Sequence, residues 1–197
     1  TFPSVAVMVQ SALNIAPCMA FDVQAVCSGF IYALSVANGM MATGEAKTIL
    51  VIGAERFSNL VDWNDRTTCV LFGDGAGAVV LRATPGGTGT TQDRGILTTH
   101  LRADGRQYPI LCATGGPGTT KTTGVTHMEG KEVFKHAVIH MADVVEETLA
   151  KIGFSINQVD WLIPHQANLR IITAAADRLR IGMNRVVVTV DQHGNTS

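Results

Sequence analysis

The chain has 197 residues, of which 46% are hydrophobic and 16% are charged, and its formal net charge is −1. A protein that binds nucleic-acid phosphates needs an excess of lysine and arginine, so we expect no nucleic-acid partner. No apolar stretch of the sequence reaches the roughly 18 residues of a transmembrane helix, so we expect no membrane partner either.

In the first half of the chain, apolar residues recur with the spacing of helices and of strands in turn. Helical spacing extends over residues 5–13 and 28–41, and the second helix is expected to end at Thr43-Gly44-Glu45. Short apolar runs predict buried strands at residues 21–26, 48–53, 69–72 and 78–82, with a tight glycine-rich turn at residues 73–77.

The second half is expected to begin after a glycine-rich linker at residues 85–89. A long helix with one apolar face is predicted at residues 131–152, and a second helix at residues 168–179. Strands are predicted at residues 96–100, 159–163 and 185–190, and a long surface excursion at residues 104–130. Helices and strands that alternate in this way indicate an α/β protein.

The four cysteines are Cys18, Cys27, Cys69 and Cys112, and none belongs to a Cys-x-x-Cys pair. This spacing argues against a structural zinc site, and a chain this apolar does not need a disulfide framework. Reduced thiols are typical of the cytoplasm, so we expect a cytoplasmic protein without a metal centre.

The two ends of the sequence suggest an internal piece of a longer protein. The first residue is Thr1 rather than methionine, so a targeting sequence cannot be judged. The last residues, Asn195-Thr196-Ser197, form a good helix N-cap sequence, and no helix follows them.

Three reactive side chains each follow an apolar run: the thiol of Cys27, the imidazole of His165 and the carboxamide of Asn195. In α/β proteins, side chains at strand ends converge on substrate. Cys27 also opens a predicted helix, whose dipole and free N–H groups favour a thiolate and can hold an oxyanion. Taken singly, each residue has an ordinary alternative: a small buried hydrophobe, a core histidine and a helix N-cap. Only the three together indicate a catalytic site.

Four stretches of the sequence carry a family resemblance. They are Phe21-Asp22-Val23-Gln24-Ala25-Val26-Cys27-Ser28-Gly29-Phe30, Phe72-Gly73-Asp74-Gly75-Ala76-Gly77-Ala78, Asp160-Trp161-Leu162-Ile163-Pro164-His165-Gln166-Ala167-Asn168-Leu169-Arg170 and Asp191-Gln192-His193-Gly194-Asn195-Thr196-Ser197. Together they resemble β-ketoacyl-acyl-carrier-protein synthase III, the condensing enzyme that starts type II fatty-acid synthesis. The resemblance implies a thiolase-like α/β fold with α-β-α-β-α layers, incomplete at both ends. Residues 1–85 would be the C-terminal part of its first half, and residues 86–197 most of its second half.

The resemblance also implies a role for individual residues. Cys27 would be the acyl-accepting nucleophile, with His165 and Asn195 completing the catalytic site. The matched substrate-binding residues are Arg66 at the adenine of coenzyme A, Asn168 at the pantetheine, Phe57 and Phe72 in the acyl pocket, and Phe2, which reaches into the pocket of a partner subunit. The matched carrier-protein-binding residues are Gln166, Ala167, Asn168, Leu169 and Arg170.

The activity implied by the resemblance is a decarboxylative condensation. A short acyl group would pass from acyl-coenzyme A to Cys27 and then condense with malonyl-acyl-carrier protein, in a homodimer that needs no metal or other cofactor. Two alternatives remain open. One is a related Cys-His-Asn ketide synthase or acyltransferase. The other is a non-catalytic condensing-enzyme fragment that serves as a binding module.

Overall fold

The computed structural model describes residues 2–116 and 118–197. Within these residues, helices and strands are mixed along the chain, which confirms the predicted α/β class. The order is α1 (Val5–Ala12), α2 (Gly29–Ala42), β1 (Thr48–Arg56), β2 (Asp74–Arg82), β3 (Leu111–Ala113), β4 (Thr126–Met128), α3 (Gly130–Lys151), α4 (Leu169–Leu179) and α5 (Val190–His193). Short helical turns occur at Val26–Ser28, Phe57–Asn59, Gly105–Ile110, Ile156–Gln158 and Met183–Arg185.

The first half is organised around the antiparallel pair β1 and β2. Their register runs from Thr48 opposite Arg82 to Arg56 opposite Asp74. The predicted strand at residues 48–53 is confirmed and is three residues longer than expected. The predicted turn at residues 73–77 is wrong, because β2 already begins at Asp74 and pairs along its whole length.

The predicted strand at residues 69–72 is also wrong, and Asp65 explains why. The carbonyl oxygen of Asp65 accepts from Thr68 N at 3.2 Å and from Cys69 N at 3.0 Å. Its carboxylate accepts from the hydroxyls of Thr67 at 2.6 Å and Thr68 at 2.8 Å. These local hydrogen bonds hold the chain in turns, and they use groups that an extended ladder would need.

Residues 21–26 form no strand, which corrects a third expectation. Among the described residues they have no ladder partner, and Phe21 is 50% and Val26 60% exposed. Strand propensity is realised only against a neighbouring strand. The carboxylate of Asp22 instead accepts from Val5 N at 2.9 Å and Ala6 N at 2.8 Å, at the beginning of α1.

The second half is built on the packing of α3 against α4. Both predicted helices are confirmed, and the side chain of Asn168 caps α4 by accepting from Ile171 N at 2.9 Å. The buried cluster consists of Ala142, Ile172, Ala176, Leu179, Ile181 and Val186. It fixes the axis of α4 and therefore the position of the residues before it.

The predicted strands at residues 159–163 and 185–190 are wrong. They meet at a single parallel bridge, Leu162 with Val186. The N–H groups of Thr189 and Val190 donate to the side chain of Gln166, so they are not available to a ladder.

The predicted strand at residues 96–100 is wrong, because this segment forms no ladder. It lies between two helices and contacts both of them. Thr99 Oγ1 lies 3.0 Å from Ser35 Oγ on α2, and His100 Nε2 lies 2.7 Å from Glu147 Oε2 on α3. Part of the expected surface excursion at residues 104–130 forms the β3–β4 hairpin. The division of the chain at residues 85 and 86 stays a prediction.

In residues 2–116 and 118–197, no helix is both long enough and apolar enough to cross a bilayer.

Shortening Ile172 should destabilise the protein in proportion to the volume removed, because this side chain is only 1% exposed and lies in the α3–α4 core. We expect Ile172→Val to lower the free energy of unfolding by about 0.5–1.5 kcal/mol and Ile172→Ala by about 2–5 kcal/mol. Urea denaturation with an unchanged slope measures both. Equal effects of the two substitutions would contradict this packing.

Candidate functional site

Cys27 lies where the helical turn Val26–Ser28 leads into α2, so its predicted place at a helix start is confirmed. The preceding residue, Val26, has a φ of 48°. A β-branched residue rarely adopts this left-handed conformation, and such strain is concentrated at functional sites. The strained turn sets the direction in which the Cys27 side chain leaves the backbone.

A chain of two contacts joins Cys27 to Asn195. Cys27 Sγ lies 3.7 Å from the hydroxyl of Ser197, and Ser197 N donates to Asn195 Oδ1 at 2.9 Å. Only an oxygen can accept from that N–H, so the contact fixes which end of the carboxamide is the acceptor. Asn195 is therefore left with the two hydrogens of Nδ2 to offer to another group.

The environment of Cys27 does not favour the thiolate that its position in the sequence suggests. Burial raises the pKa of the Cys27 thiol, and the negative charge of Glu55 raises it further. The hydrogen bond from Ser197 and the backbone N–H of Cys27 act in the opposite direction, but they do not outweigh burial. At neutral pH the free site therefore holds a thiol.

Asn195 is placed by its backbone and is only 7% exposed. Its N–H donates to Leu71 O at 2.8 Å, and its carbonyl accepts from Gly73 N at 2.9 Å. A Cβ atom on Gly75 would lie 2.9 Å from Thr196 Cγ2, so the absence of a side chain there permits this close approach. The sequence analysis expected this glycine in a turn, whereas it lies in β2 and permits the close approach of Thr196.

His165 is half-buried, and burial lowers the pKa of its imidazole, so the ring is neutral at pH 7. A neutral imidazole has one N–H donor and one acceptor nitrogen. Within the described residues, the only side chain that hydrogen-bonds Cys27 Sγ is that of Ser197, so His165 has no direct hydrogen bond to the thiol. Its segment is instead tied to residues 187–190 through the next residue, Gln166.

The two predicted acyl-pocket residues lie together. The rings of Phe57 and Phe72 stack with centroids 4.1 Å apart and planes 12° apart. Asp74 supports this pair, since its carboxylate accepts from Ser58 N and from the Ser58 hydroxyl, each at 2.7 Å. Phe72 also pairs with Asn195 in a parallel bridge, so the aromatic pair adjoins the Asn195 segment.

The remaining predicted residues lie in an exposed turn and at the beginning of α4. Arg66 is exposed in the turn that Asp65 holds, and the backbone of Asn168 opens α4. Ala167 and Leu169 line an open, mostly apolar cleft of about 510 Å³, together with Asn168 and with Gly194, the residue before Asn195.

Two further predicted residues have informative surroundings. The guanidinium of Arg170 lies 5.4 Å from the centre of the Phe134 ring, an arrangement that stabilises a cation. Phe2 is fully exposed, at 102% of its reference area.

The sequence analysis missed Ser197 and Glu55 as neighbours of Cys27. Ser197 is 170 positions away from Cys27 in sequence, and Glu55 lies on β1. No local pattern marks either residue, because each comes near Cys27 only through tertiary packing.

Two family models match the chain. One, described as 3-oxoacyl-[acyl-carrier-protein (ACP)] synthase III, matches residues 21–105, and its C-terminal counterpart matches residues 149–197. Among curated proteins, β-ketoacyl-[acyl-carrier-protein] synthase III of Rhodospirillum centenum is 59% identical over 197 residues, and that of Allorhizobium ampelinum is 58% identical. The alignments cover 100% of this chain and 60% or 61% of those proteins.

Solved structures agree with this relationship. The 3-oxoacyl-[acyl-carrier-protein] synthase III of Aquifex aeolicus matches with a TM-score of 0.90 and 46% identity, over 100% of this chain and 59% of that one. The priming β-ketosynthase of the R1128 polyketide pathway matches with a TM-score of 0.81 and 29% identity, over 98% of this chain and 58% of that one. The predicted thiolase-like fold is thereby confirmed. The chain spans about 60% of the length of the curated relatives it matches.

Alkylation of Cys27 by iodoacetamide should have its midpoint at a higher pH than alkylation of a short cysteine peptide, because burial raises its pKa. Ser197→Ala removes a hydrogen bond that lowers this pKa, so at pH 7.5 it should slow alkylation by about threefold to tenfold. Peptide mapping by mass spectrometry follows Cys27 separately from the other thiols.

The matched control for that measurement is Ser28→Ala, which removes a hydroxyl beside Cys27 that caps no helix. It should leave the rate nearly unchanged. A midpoint at or below that of the peptide thiol would show that the helix dipole, not burial, dominates the site.

Proposed function

Since the chain belongs to the 3-oxoacyl-[acyl-carrier-protein] synthase III family, we propose that its protein condenses a short acyl group with malonyl-acyl-carrier protein to start fatty-acid synthesis. The observation that carries this proposal is the contact chain from Cys27 through Ser197 to Asn195. It places a nucleophile beside a carboxamide whose N–H groups are free to bind a substrate oxygen.

In the first step, Cys27 Sγ attacks the thioester carbonyl of acyl-coenzyme A. The new bond joins this sulfur to the acyl carbon, the bond to the coenzyme A sulfur breaks, and the proton of the thiol passes to the departing coenzyme A. Backbone N–H groups at the beginning of α2 are suited to hold the oxyanion, as at other helix N-termini. The raised pKa of Cys27 keeps the thiol protonated until substrate arrives.

In the second step, malonyl-acyl-carrier protein loses CO₂, and the electron pair of the broken bond forms an enolate. We assign His165 and Asn195 Nδ2 as the donors to its oxygen, each contributing about 2.7–4 kcal/mol in a site closed to water. Both groups are uncharged, since burial holds the imidazole neutral. The enolate carbon then attacks the acyl-Cys27 carbonyl, and the thiolate that leaves takes up one proton.

These steps need neither a metal nor a redox cofactor, because thioester exchange, decarboxylation and condensation involve no net oxidation or reduction of the substrates. We propose acyl-coenzyme A and malonyl-acyl-carrier protein as the substrates. Arg66 and Asn168 would bind coenzyme A, whereas the stacked Phe57 and Phe72 would wall the acyl pocket.

We also propose a homodimer in the cytoplasm. Phe2 projects fully into solvent, and α1 buries none of its residues within the single chain, as suits a surface that a second subunit covers. All four cysteines are free, as is typical of a reducing compartment.

A ketide synthase with another acyl group is a second candidate, supported by the likeness to a priming β-ketosynthase at 29% identity. The higher identity, 59% and 58%, to proteins named β-ketoacyl-[acyl-carrier-protein] synthase III favours the first function. Comparing malonyl-carrier protein with malonyl-coenzyme A as the second substrate separates the two.

The test of the proposed function measures both half-reactions in the full-length protein: acetylation from acetyl-coenzyme A by intact mass, and CO₂ release from malonyl-carrier protein. Cys27→Ala should abolish acetylation and keep some decarboxylation. His165→Ala and Asn195→Ala should keep much of the acetylation and lose decarboxylation by about 10²–10³-fold. Acetylation lost as completely in His165→Ala as in Cys27→Ala would instead make His165 the base for the thiol.

Charge reversal at Arg170 tests its proposed contact with the acidic carrier protein. Arg170→Glu should raise KM for malonyl-carrier protein by roughly tenfold and leave acetylation from acetyl-coenzyme A nearly unchanged, because steering depends on complementary charge. The matched control is Arg178→Glu on the same helix, since Arg178 is already paired with Asp143 at 2.9 Å. Equal losses in both half-reactions would argue against docking at Arg170.

A further inference from the structure

All the hydrogen-bonding groups of the half-buried Gln166 side chain are used within the protein. It makes four hydrogen bonds to backbone atoms: Nε2 to Pro164 O at 3.0 Å and to Val187 O at 3.1 Å, and Oε1 from Thr189 N at 2.8 Å and from Val190 N at 3.1 Å. A carboxamide has two N–H groups and two acceptor lone pairs, so every hydrogen-bonding capacity of this side chain is used. It has none left for a carrier protein, the partner that the family resemblance implies for this residue.

Three of these four bonds, those to residues 187–190, join the two segments that carry the proposed donors. On one side, Gln166 directly follows His165, whose carbonyl also accepts from Ala167 N at 2.9 Å. On the other side, Val190 is the first residue of α5, which is closed by Gly194 N donating to Val190 O at 3.0 Å. Asn195 is the residue directly after Gly194.

We propose that Gln166 is a positioning residue that fixes His165 and Asn195 relative to each other. The inference rests on the proposed function, in which both side chains donate to one enolate oxygen. Two donors can share an oxygen only if their separation is held closely, and a displacement of about 1 Å can cost roughly a hundredfold in rate. Without the side chain of Gln166, the single bridge between Leu162 and Val186 would be the nearest backbone link between the segments.

Gln166 makes no direct hydrogen bond to the nucleophile or to the residues that hold it. Cys27 is held by the turn Val26–Ser28 and by Ser197, and none of the four bonds of Gln166 involves these residues. Loss of Gln166 should therefore impair decarboxylation and spare acylation, whereas a general loss of folded protein would lower both equally.

The experiment compares Gln166→Leu and Gln166→Glu with the control Gln158→Leu in the full-length protein. Gln158 is a matched glutamine in the same half, and its Oε1 accepts only within its own turn, from Ser155 N at 2.9 Å and Ser155 Oγ at 3.1 Å. The measurements are acetylation from acetyl-coenzyme A, CO₂ release from malonyl-carrier protein and thermal stability.

Gln166→Leu should slow decarboxylation by about 10–100-fold and change acetylation by less than about threefold. Gln158→Leu should leave the ratio of the two rates unchanged. Gln166→Glu keeps the acceptors for Thr189 and Val190 and regains one donor when protonated. Its decarboxylation relative to wild type should therefore recover as the pH falls from 8 to 6, since burial raises a carboxyl pKa.

Three outcomes would overturn the inference. The first is an unchanged decarboxylation rate in Gln166→Leu. The second is an equal loss of both half-reactions in this variant after correction for the amount of folded protein. The third is a decarboxylation rate of Gln166→Glu, relative to wild type, that does not change with pH. This third measurement decides the question if Gln166→Leu does not fold. Wild-type protein that performs neither half-reaction would refute the proposed function itself, and with it the role of Gln166.

Discussion

The backbone pairing of Asn195 with Leu71 and Gly73 is the interaction on which the site depends. Two hydrogen bonds, at 2.8 and 2.9 Å, bring a segment from the end of the chain against the beginning of β2. Gly73 and Gly75 permit it, since a Cβ at either position would collide with residues 193–196. Once the segment lies there, Ser197 reaches Cys27 and Phe72 adjoins Asn195. A single close approach thus brings the Cys27 thiol, the Asn195 carboxamide and the stacked Phe57 and Phe72 rings into one region.

Electrostatics at the site favour uncharged groups. Burial raises the pKa of Cys27 and lowers that of His165, so desolvation favours the uncharged form of both groups near pH 7. A neutral imidazole and a carboxamide can each donate a hydrogen bond to a negative charge that exists only during a reaction. Such donors are oriented in advance and carry no charge of their own. The hydrogen bond from Ser197 partly offsets the effect of burial on the thiol.

The four longer helices were predictable from the sequence, whereas the short α5 and most of the strands were not. α2, α3 and α4 satisfy their own backbone groups, so apolar spacing and end signals such as Gly44 and Asn168 locate them within a residue or two. A strand needs a partner. Residues 69–72 and 185–190 have strand-like composition. However, the backbone carbonyl of Asp65 accepts from Cys69 N, and the side chain of Gln166 accepts from the N–H groups of Thr189 and Val190.

For the site, the sequence was enough to predict the reactive residue types, whereas the fold decided their contacts and their charge states. The residue types at Cys27, His165 and Asn195, with their flanking motifs, were enough to predict a Cys-His-Asn condensing site and a family. Their surroundings were decided by tertiary structure alone: the Ser197 hydroxyl 3.7 Å from the thiol, the charge of Glu55, which raises the thiol pKa, and Gln166 between His165 and residues 187–190. The charge state of Cys27 shows the same contrast between sequence and fold. The helix start at Cys27 is a local feature that can be predicted from the sequence. Burial depends on residues from distant parts of the chain, and it raises the pKa of the Cys27 thiol.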